Sequence, residues 1–224
     1  MSLILSGTDG LSDVDGSAAT PAIRGTDANT GIFFGTDIIG FSEGGVEAMR
    51  INASGNLQTL ATIGVGNATP STSGAGITFP ATQSTSSNAN TLDDYEEGTW
   101  TPVFASASGS ITGGSKYGSY TKVGNLVSVQ IFIGGTFTIS SPSGGLTISG
   151  FPFVSTAVNN LAIPAFATAC YSWNATAYSI SVEMPGSATV GYVFNFANGS
   201  RGDAGSLVNA NTQLIVAGTY LTTT

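Results

Sequence analysis

Glycine occupies 31 of 224 positions and breaks nearly every window in which apolar residues could recur three and four apart, which argues against the helical fold classes. Where the apolar residues do keep a rhythm, its period is two. From Leu126 to Ile133, Val127, Val129, Ile131 and Ile133 share one face while Ser128 and Gln130 take the other. The same alternation runs through Tyr178, Ile180, Val182 and Met184, through Val190, Tyr192, Phe194 and Phe196, and through Leu214 and Val216. Shorter strand candidates are Thr99 to Phe104, Gly118 to Val123, Thr136 to Ser140, Leu146 to Ser149 and Leu161 to Ala169. Turn signals separate them, among them SPSGG at 141–145 and ANGSRGDAG at 197–205. About nine short strands spaced in this way predict an all-β domain, read as a jelly-roll-like β-sandwich.

The organisation changes sharply at NTLDDYEEGTWTP, residues 90–102, where a Gly/Ser/Thr-rich stretch hands over to an aromatic-rich block. Residues 92–224 form the expected distal sandwich. Residues 66–91 are dense in Ser, Thr, Gly and Pro, with Ile77 and Phe79 as anchors, and read as a linker or extended shaft. Residues 1–65 hold short strand-like pieces at Leu3 to Leu5, Gly31 to Phe34, Ile38 to Phe41 and Ala48 to Ile51. None is long enough to close a core alone. Copies that wrap about a common axis, each supplying strands to a shared apolar centre, solve that problem, so this segment is expected to be an interwoven trimerisation and attachment element.

Charge narrows the possible partners. The net charge is −8, yet charged residues make up only 8% of the chain. Seven acids lie in residues 1–91 and four more in 92–104, whereas 105–224 hold Glu183 and Asp203 against Lys116, Lys122 and Arg201. Without clustered Lys and Arg, neither nucleic acid nor an anionic membrane surface is an expected partner. No apolar run reaches the roughly 18 to 20 residues of a membrane helix, so no membrane insertion is expected. The N-terminus shows no basic region of an export signal, and the chain reads as soluble. Cys170, the single cysteine, reads as a small buried residue.

Three segments carry a resemblance. PAIRGTDANTGIFFGTDIIGFSEGGVEAMRINASGNL at 21–57, LDDYEEGTWTP at 92–102 and YTKVGNLVSVQ at 120–130 together resemble bacteriophage tail-fibre and receptor-binding proteins. The resemblance implies a homotrimer, a β-prism or β-helical shaft before a β-sandwich, and adhesion to a host cell surface. It also implies a place on the virion tail. The N-terminal segment would meet a tail, baseplate or proximal fibre protein, and the distal domain a host glycan or outer-membrane receptor. Related fibres often end in a self-cleaving chaperone domain. This sequence ends in TQLIVAGTYLTTT, so trimerisation is expected to be specified by the domains themselves or by a separate chaperone.

Candidate chemistry is sparse. Asp93, Asp94, Glu96 and Glu97 form the one dense carboxylate group, the kind a glycoside hydrolase would use, but also the kind that stays solvated or binds a cation. There is no histidine to act as base, shuttle or ligand, so no enzyme activity, cofactor or metal site is expected. Asp9, Asp13 and Asp15 in TDGLSDVDG lack the spacing of a calcium loop, and Arg201, Gly202 and Asp203 read as an ordinary turn. The recognition candidates are Tyr171, Trp173 and Asn174 in YSWNAT, with Tyr117 and Tyr120 in KYGSY. Aromatic faces stack on sugar rings while amides and hydroxyls bond them; the competing reading is that such rings cap the core. A purely structural virion protein, a tail adaptor or capsid decoration without a receptor, is the alternative function.

Overall fold

Period-two burial and strand structure coincide along the chain, which is described in a computed structural model at residues 15–84, 86–88, 90–157, 165–174, 179–197, 200–203 and 205–222; at 197, 200–203 and 206 only the backbone is described. Among the described residues there is no α-helix, and none long and apolar enough to cross a membrane. Two units divide between Thr82 and Gln83.

In the first unit, β1 (Ile23–Arg24), β2 (Gly31–Gly35), β3 (Ile38–Glu43), β4 (Val46–Ile51) and β5 (Leu57–Thr59) form an antiparallel meander in sequence order. Polar side chains shape its turns. Asp27 accepts from the Asn29 N–H at 3.2 Å and the Thr30 hydroxyl at 3.0 Å, and Asn52 accepts from the Ser54 and Asn56 N–H groups at 3.0 Å each. Then β6 (Ile63–Gly64) and β7 (Ile77–Thr78) pair in parallel. The expected piece at Leu3 to Leu5 lies outside the described residues.

Register decides which side chains share a face of the meander. The pairs Ile23↔Ile32, Ile32↔Phe41, Phe34↔Ile39, Phe41↔Met49, Ile39↔Ile51 and Ile51↔Leu57 put eight apolar side chains on one side. Along that side Ile23, Ile39 and Ile51 keep 39% of their surface and Leu57 65%, while Ile32, Phe34, Phe41 and Met49 are half-buried. The opposite side holds the unit's one buried large hydrophobic among the described residues, Phe33, whose ring lies over Gly40 where a Cβ would sit 2.2 Å away.

The second unit contains β8 (Tyr95–Trp100), β9 (Val103–Val123), β10 (Leu126–Ser149), β11 (Ala165–Tyr171), β12 (Ile180–Glu183), β13 (Val190–Ala197), β14 (Ser200–Asp203) and β15 (Gln213–Leu221). They hydrogen-bond in the order β14-β13-β12-β11-β15-β10-β9-β8, and β13 also pairs with β10. The extra pairing closes a five-strand circuit, β10-β15-β11-β12-β13, with β9 and β8 continuing outward from β10. This corrects the expected jelly-roll-like pair of facing sheets to a small barrel.

The reason lies in β10. The three expected strands at 126–133, 136–140 and 146–149 are one strand, and SPSGG does not reverse the chain. Instead the β9–β10 hairpin takes up the surplus residues as register shifts near Gly134, Ser140 and Ser143, eased by positive φ at Gly113 (75°) and Gly135 (91°). Such bulges coil a strand. The first part of β10, Leu126 to Ile133, therefore pairs with β15, while its last part, Leu146 to Ser149, reaches β13.

Three of the four predicted alternations fill the barrel, and the fourth is reversed. On β13, Val193 and Asn195 turn inward because Val193 registers with Leu146 and Val182, while Tyr192 and Phe194 of the expected inner face lie outside. Val127, Val129, Ile131, Ile133, Val182, Met184, Leu214 and Val216 are buried, joined by Leu146, Ile148 and Val193. Each such side chain contributes about 1.5–3 kcal/mol. Other expectations need adjusting. The strand from Thr99 to Phe104 breaks at Thr101 and Pro102, Pro102 having no N–H to donate. Arg201, Gly202 and Asp203 lie on β14 rather than in a turn. Cys170 is exposed: it pairs with Leu214 on the core-facing side, but at the end of β11 where the barrel opens, and partial burial still raises its thiol pKa. Residues 161–164 and Tyr178 lie outside the described residues.

Candidate recognition surface

The handover motif is a structural interlock. Across β8 and β9, Gly98 faces Tyr120 and Trp100 faces Gly118. A Cβ on Gly118 would lie 2.6 Å from the Trp100 ring, and one on Gly98 2.7 Å from the Tyr120 hydroxyl, so each ring lies flat over the facing glycine. Trp100 then meets Phe151 at 6.0 Å between centroids, and Tyr120 meets Phe153 edge-on at 5.4 Å.

The acidic group is taken apart by the same pairing. Asp94 forms a buried ion pair with Lys122, whose Nζ also lies 5.5 Å from the Phe153 ring centroid. Burial lowers the pKa of the Lys122 ammonium, and Asp93 opposes that shift. Asp93 accepts from the Ser86 N–H at 2.7 Å. Glu96 accepts from the Tyr120 hydroxyl, and that bond, reinforced by burial, pushes the Tyr120 pKa up to about 12. Glu97 accepts from the Tyr95 hydroxyl at 2.8 Å, which raises the Tyr95 pKa. Each carboxylate thus has a donor within the chain. Among the described residues no His/Cys/Asp/Glu group of metal-holding size occurs.

The other face of these strands is open. Here β8 presents Glu97 and Thr99; β9 presents Tyr117, Ser119 and Thr121; β10 presents Ser128, Gln130 and Phe132; and β15 presents Ile215. Two hollows lie on it. One, of about 420 Å³, is lined by Glu97, Thr99, Ser119, Thr121, Ser128 and Gln130. The second, of about 670 Å³, shares Thr99, Ser119 and Gln130 with the first and adds Tyr117, Phe132 and Ile215. They form one trough, polar at one end and aromatic-apolar at the other. A further apolar row, Tyr95, Val123, Leu126 and Leu221, runs across the four strands beyond the polar end.

The five predicted residues separate. Tyr117 is 66% exposed at the apolar end of the trough, opposite Phe132. Tyr120, three positions on, packs its ring on the other side of the strand, in the interlock, and also borders the polar hollow. Tyr171 is exposed on the outward side of β11, facing Gln213 on β15. Trp173 packs against the core and its indole N–H donates to the Gln213 carbonyl at 2.9 Å. Asn174 lies beside it, its Oδ1 accepting from Asn209 Nδ2 at 3.4 Å and its N–H donating to the Leu207 carbonyl at 2.9 Å. Of the candidate trough, the sequence reading did not name Thr99, Ser119, Thr121, Ser128, Gln130, Phe132 or Ile215. The signal was available: with Ile131 and Ile133 inward, Phe132 had to point outward beside Gln130.

No protein-family model matches the chain, and no curated protein matches it. Among solved structures, the crystal structure of the Dettilon tailspike protein is similar over 71% of this chain, with a TM-score of 0.48 and 21% identity. The chain spans 30% of the length of that protein.

Proposed function

We propose that the chain is a bacteriophage tail-fibre or receptor-binding protein that adheres to a host cell surface through the trough on β8, β9, β10 and β15. The observation that carries this reading is the makeup of the trough. Exposed Tyr117 and Phe132 supply flat apolar surface, and hydroxyls and the Gln130 amide lie alongside with a single carboxylate. That combination suits a surface glycan, whose rings stack and whose hydroxyls need directional partners. The motifs of residues 21–57, 92–102 and 120–130 support the same reading by their resemblance to tail fibres. It is adhesion without catalysis, on the phage tail and at the host exterior.

The assembly would be a homotrimer. The meander's uncovered side, from Ile23 to Leu57, is a face that further copies of the chain would bury, and its N-terminal approach would serve attachment to the tail or a proximal fibre protein. Three copies would make weak contacts to repeated glycans effective, because the second and third engagements become intramolecular.

The test is saturable adsorption of labelled protein to candidate host cells, with light scattering to fix the oligomer and Tyr117→Ala as the comparison. Binding by a trimer and its loss in the variant are expected. A trimer that adsorbs to no candidate host would favour the structural virion protein, and a monomer would remove the shared-axis assembly.

A further inference from the structure

Resting on that reading, we infer that the trough takes a neutral, hydroxyl-rich oligosaccharide and turns away acidic ones, with Glu97 as the residue that sets the preference. Along the outward faces of β8, β9, β10 and β15, Glu97 is the one charged side chain among the described residues. The two lysines of β9 point the other way. Lys122 is buried against Asp94, and Lys116 donates to the Gly113 carbonyl with its Nζ 5.8 Å from the Phe137 ring centroid. A uronate or sialate carboxylate in the trough would find no cation and would meet Glu97, which the Tyr95 hydroxyl holds in place. Like charges facing each other in this way disfavour binding by at least about tenfold.

The uncharged groups fit the complementary ligand. The hydroxyls of Thr99, Ser119 and Ser128 and the amide of Gln130 are exposed on this face, with the half-buried Thr121 beside them. Each hydroxyl offers a donor and acceptor sites, and the amide offers both, which matches sugar hydroxyls that also donate and accept. From Tyr117 to Thr121 the strand runs about 13 Å, a length for a short oligosaccharide rather than for one ring. Tyr117 would stack the sugar at the apolar end, with Phe132 and Ile215 as the floor beside it.

The experiment is binding of the full-length chain to an array of neutral hexose, deoxyhexose and N-acetylhexosamine oligomers alongside uronate- and sialate-containing ones, at low and raised salt, with parallel adsorption to cells. Neutral oligomers should bind with little salt dependence. Tyr117→Ala should weaken them about tenfold. Glu97→Gln should raise the binding of acidic oligomers relative to neutral ones at least about tenfold. Both side chains are exposed, so these variants should keep the wild-type unfolding curve, and that control is read in the same preparation. Acidic oligomers bound by the wild type as tightly as neutral ones, and lost in Tyr117→Ala, would overturn the preference while leaving the adhesive reading intact. Cell adsorption with no oligosaccharide bound would overturn the ligand class alone. Neither cell nor oligosaccharide binding would remove both.

Discussion

The two units solve the same problem, what to do with a hydrophobic sheet face, in opposite ways. In the second unit the face curls on itself: β10 coils through its bulges until its two ends meet β15 and β13, and the barrel buries Val127, Ile131, Leu146 and Leu214 completely or nearly so. In the first, the meander has strands too short to curl, and its apolar side from Ile23 to Leu57 stays open while Phe33 is the one large hydrophobic buried among the described residues. Long strands with glycine bulges make a self-sufficient fold. Short strands joined by tight Asp27 and Asn52 turns leave an apolar side exposed.

The largest expected effect breaks that comparison at the meander. Ile51→Asp puts a charge at the centre of the open face, between Ile39 and Leu57. Loss of the oligomer in sedimentation is expected, with the barrel's unfolding midpoint unchanged; an oligomer that persists would mean the open face is not the association surface. Next is Asp94→Asn, within the second unit. It leaves Lys122 buried without its counter-charge, and unpairing a buried ion typically costs about 3–5 kcal/mol. Denaturant unfolding should show that loss with the oligomer retained. Replacing both partners with apolar residues of similar size should recover most of it.

How much of this was legible in the sequence depended on the range of the interaction. The period-two runs in β10, β12 and β15 named core residues correctly, because alternation is a local property of a strand whatever sheet it joins. In β13, however, the run of Val190, Tyr192, Phe194 and Phe196 marked the outer face, and only the register with Leu146 and Val182 shows that Val193 turns inward. Closure was not legible, since Gly113, Gly135 and Gly144 look like turn residues until the partner strand shows them to be bulges. The proposed recognition surface was half legible. KYGSY drew attention as an aromatic pair, but Tyr117 and Tyr120 are an odd number of residues apart and so face opposite ways, and Gly118, between them, is the space that Trp100 fills. The roles of DDYEE were not legible at all, because Lys122 and Tyr120 are more than twenty residues away in sequence and adjacent only across the ladder.

The smallest expected effect separates the units by pH. All seven tyrosines follow residue 94, so alkaline titration of phenols acts on the barrel unit and not on the meander. Tyr220 is buried, its hydroxyl donating to the Phe153 carbonyl at 3.2 Å and accepting the Phe153 N–H at 3.3 Å, and burial pushes its pKa from 10.0 up to about 12. The folded-state pKa is the higher one. The phenol therefore contributes its full stability below about pH 10, where it is protonated in both states, and that contribution is lost as pH rises through about 12. A two-unit shift corresponds to at most about 2.7 kcal/mol. Tyr120 adds a weaker fall in the same window because it is partly exposed, while Lys122, with its lowered pKa, works in the opposite sense at pH values below its unfolded 10.5. Denaturant midpoints measured from neutral pH to about pH 12 should hold and then drop. Tyr220→Phe, after losing about 1 kcal/mol at neutral pH for the missing hydrogen bonds, should drop less. The meander's association should persist across the same range, since it has no tyrosine to ionise; an oligomer that dissociates in step with the barrel would show that the two units do not stand apart in this way.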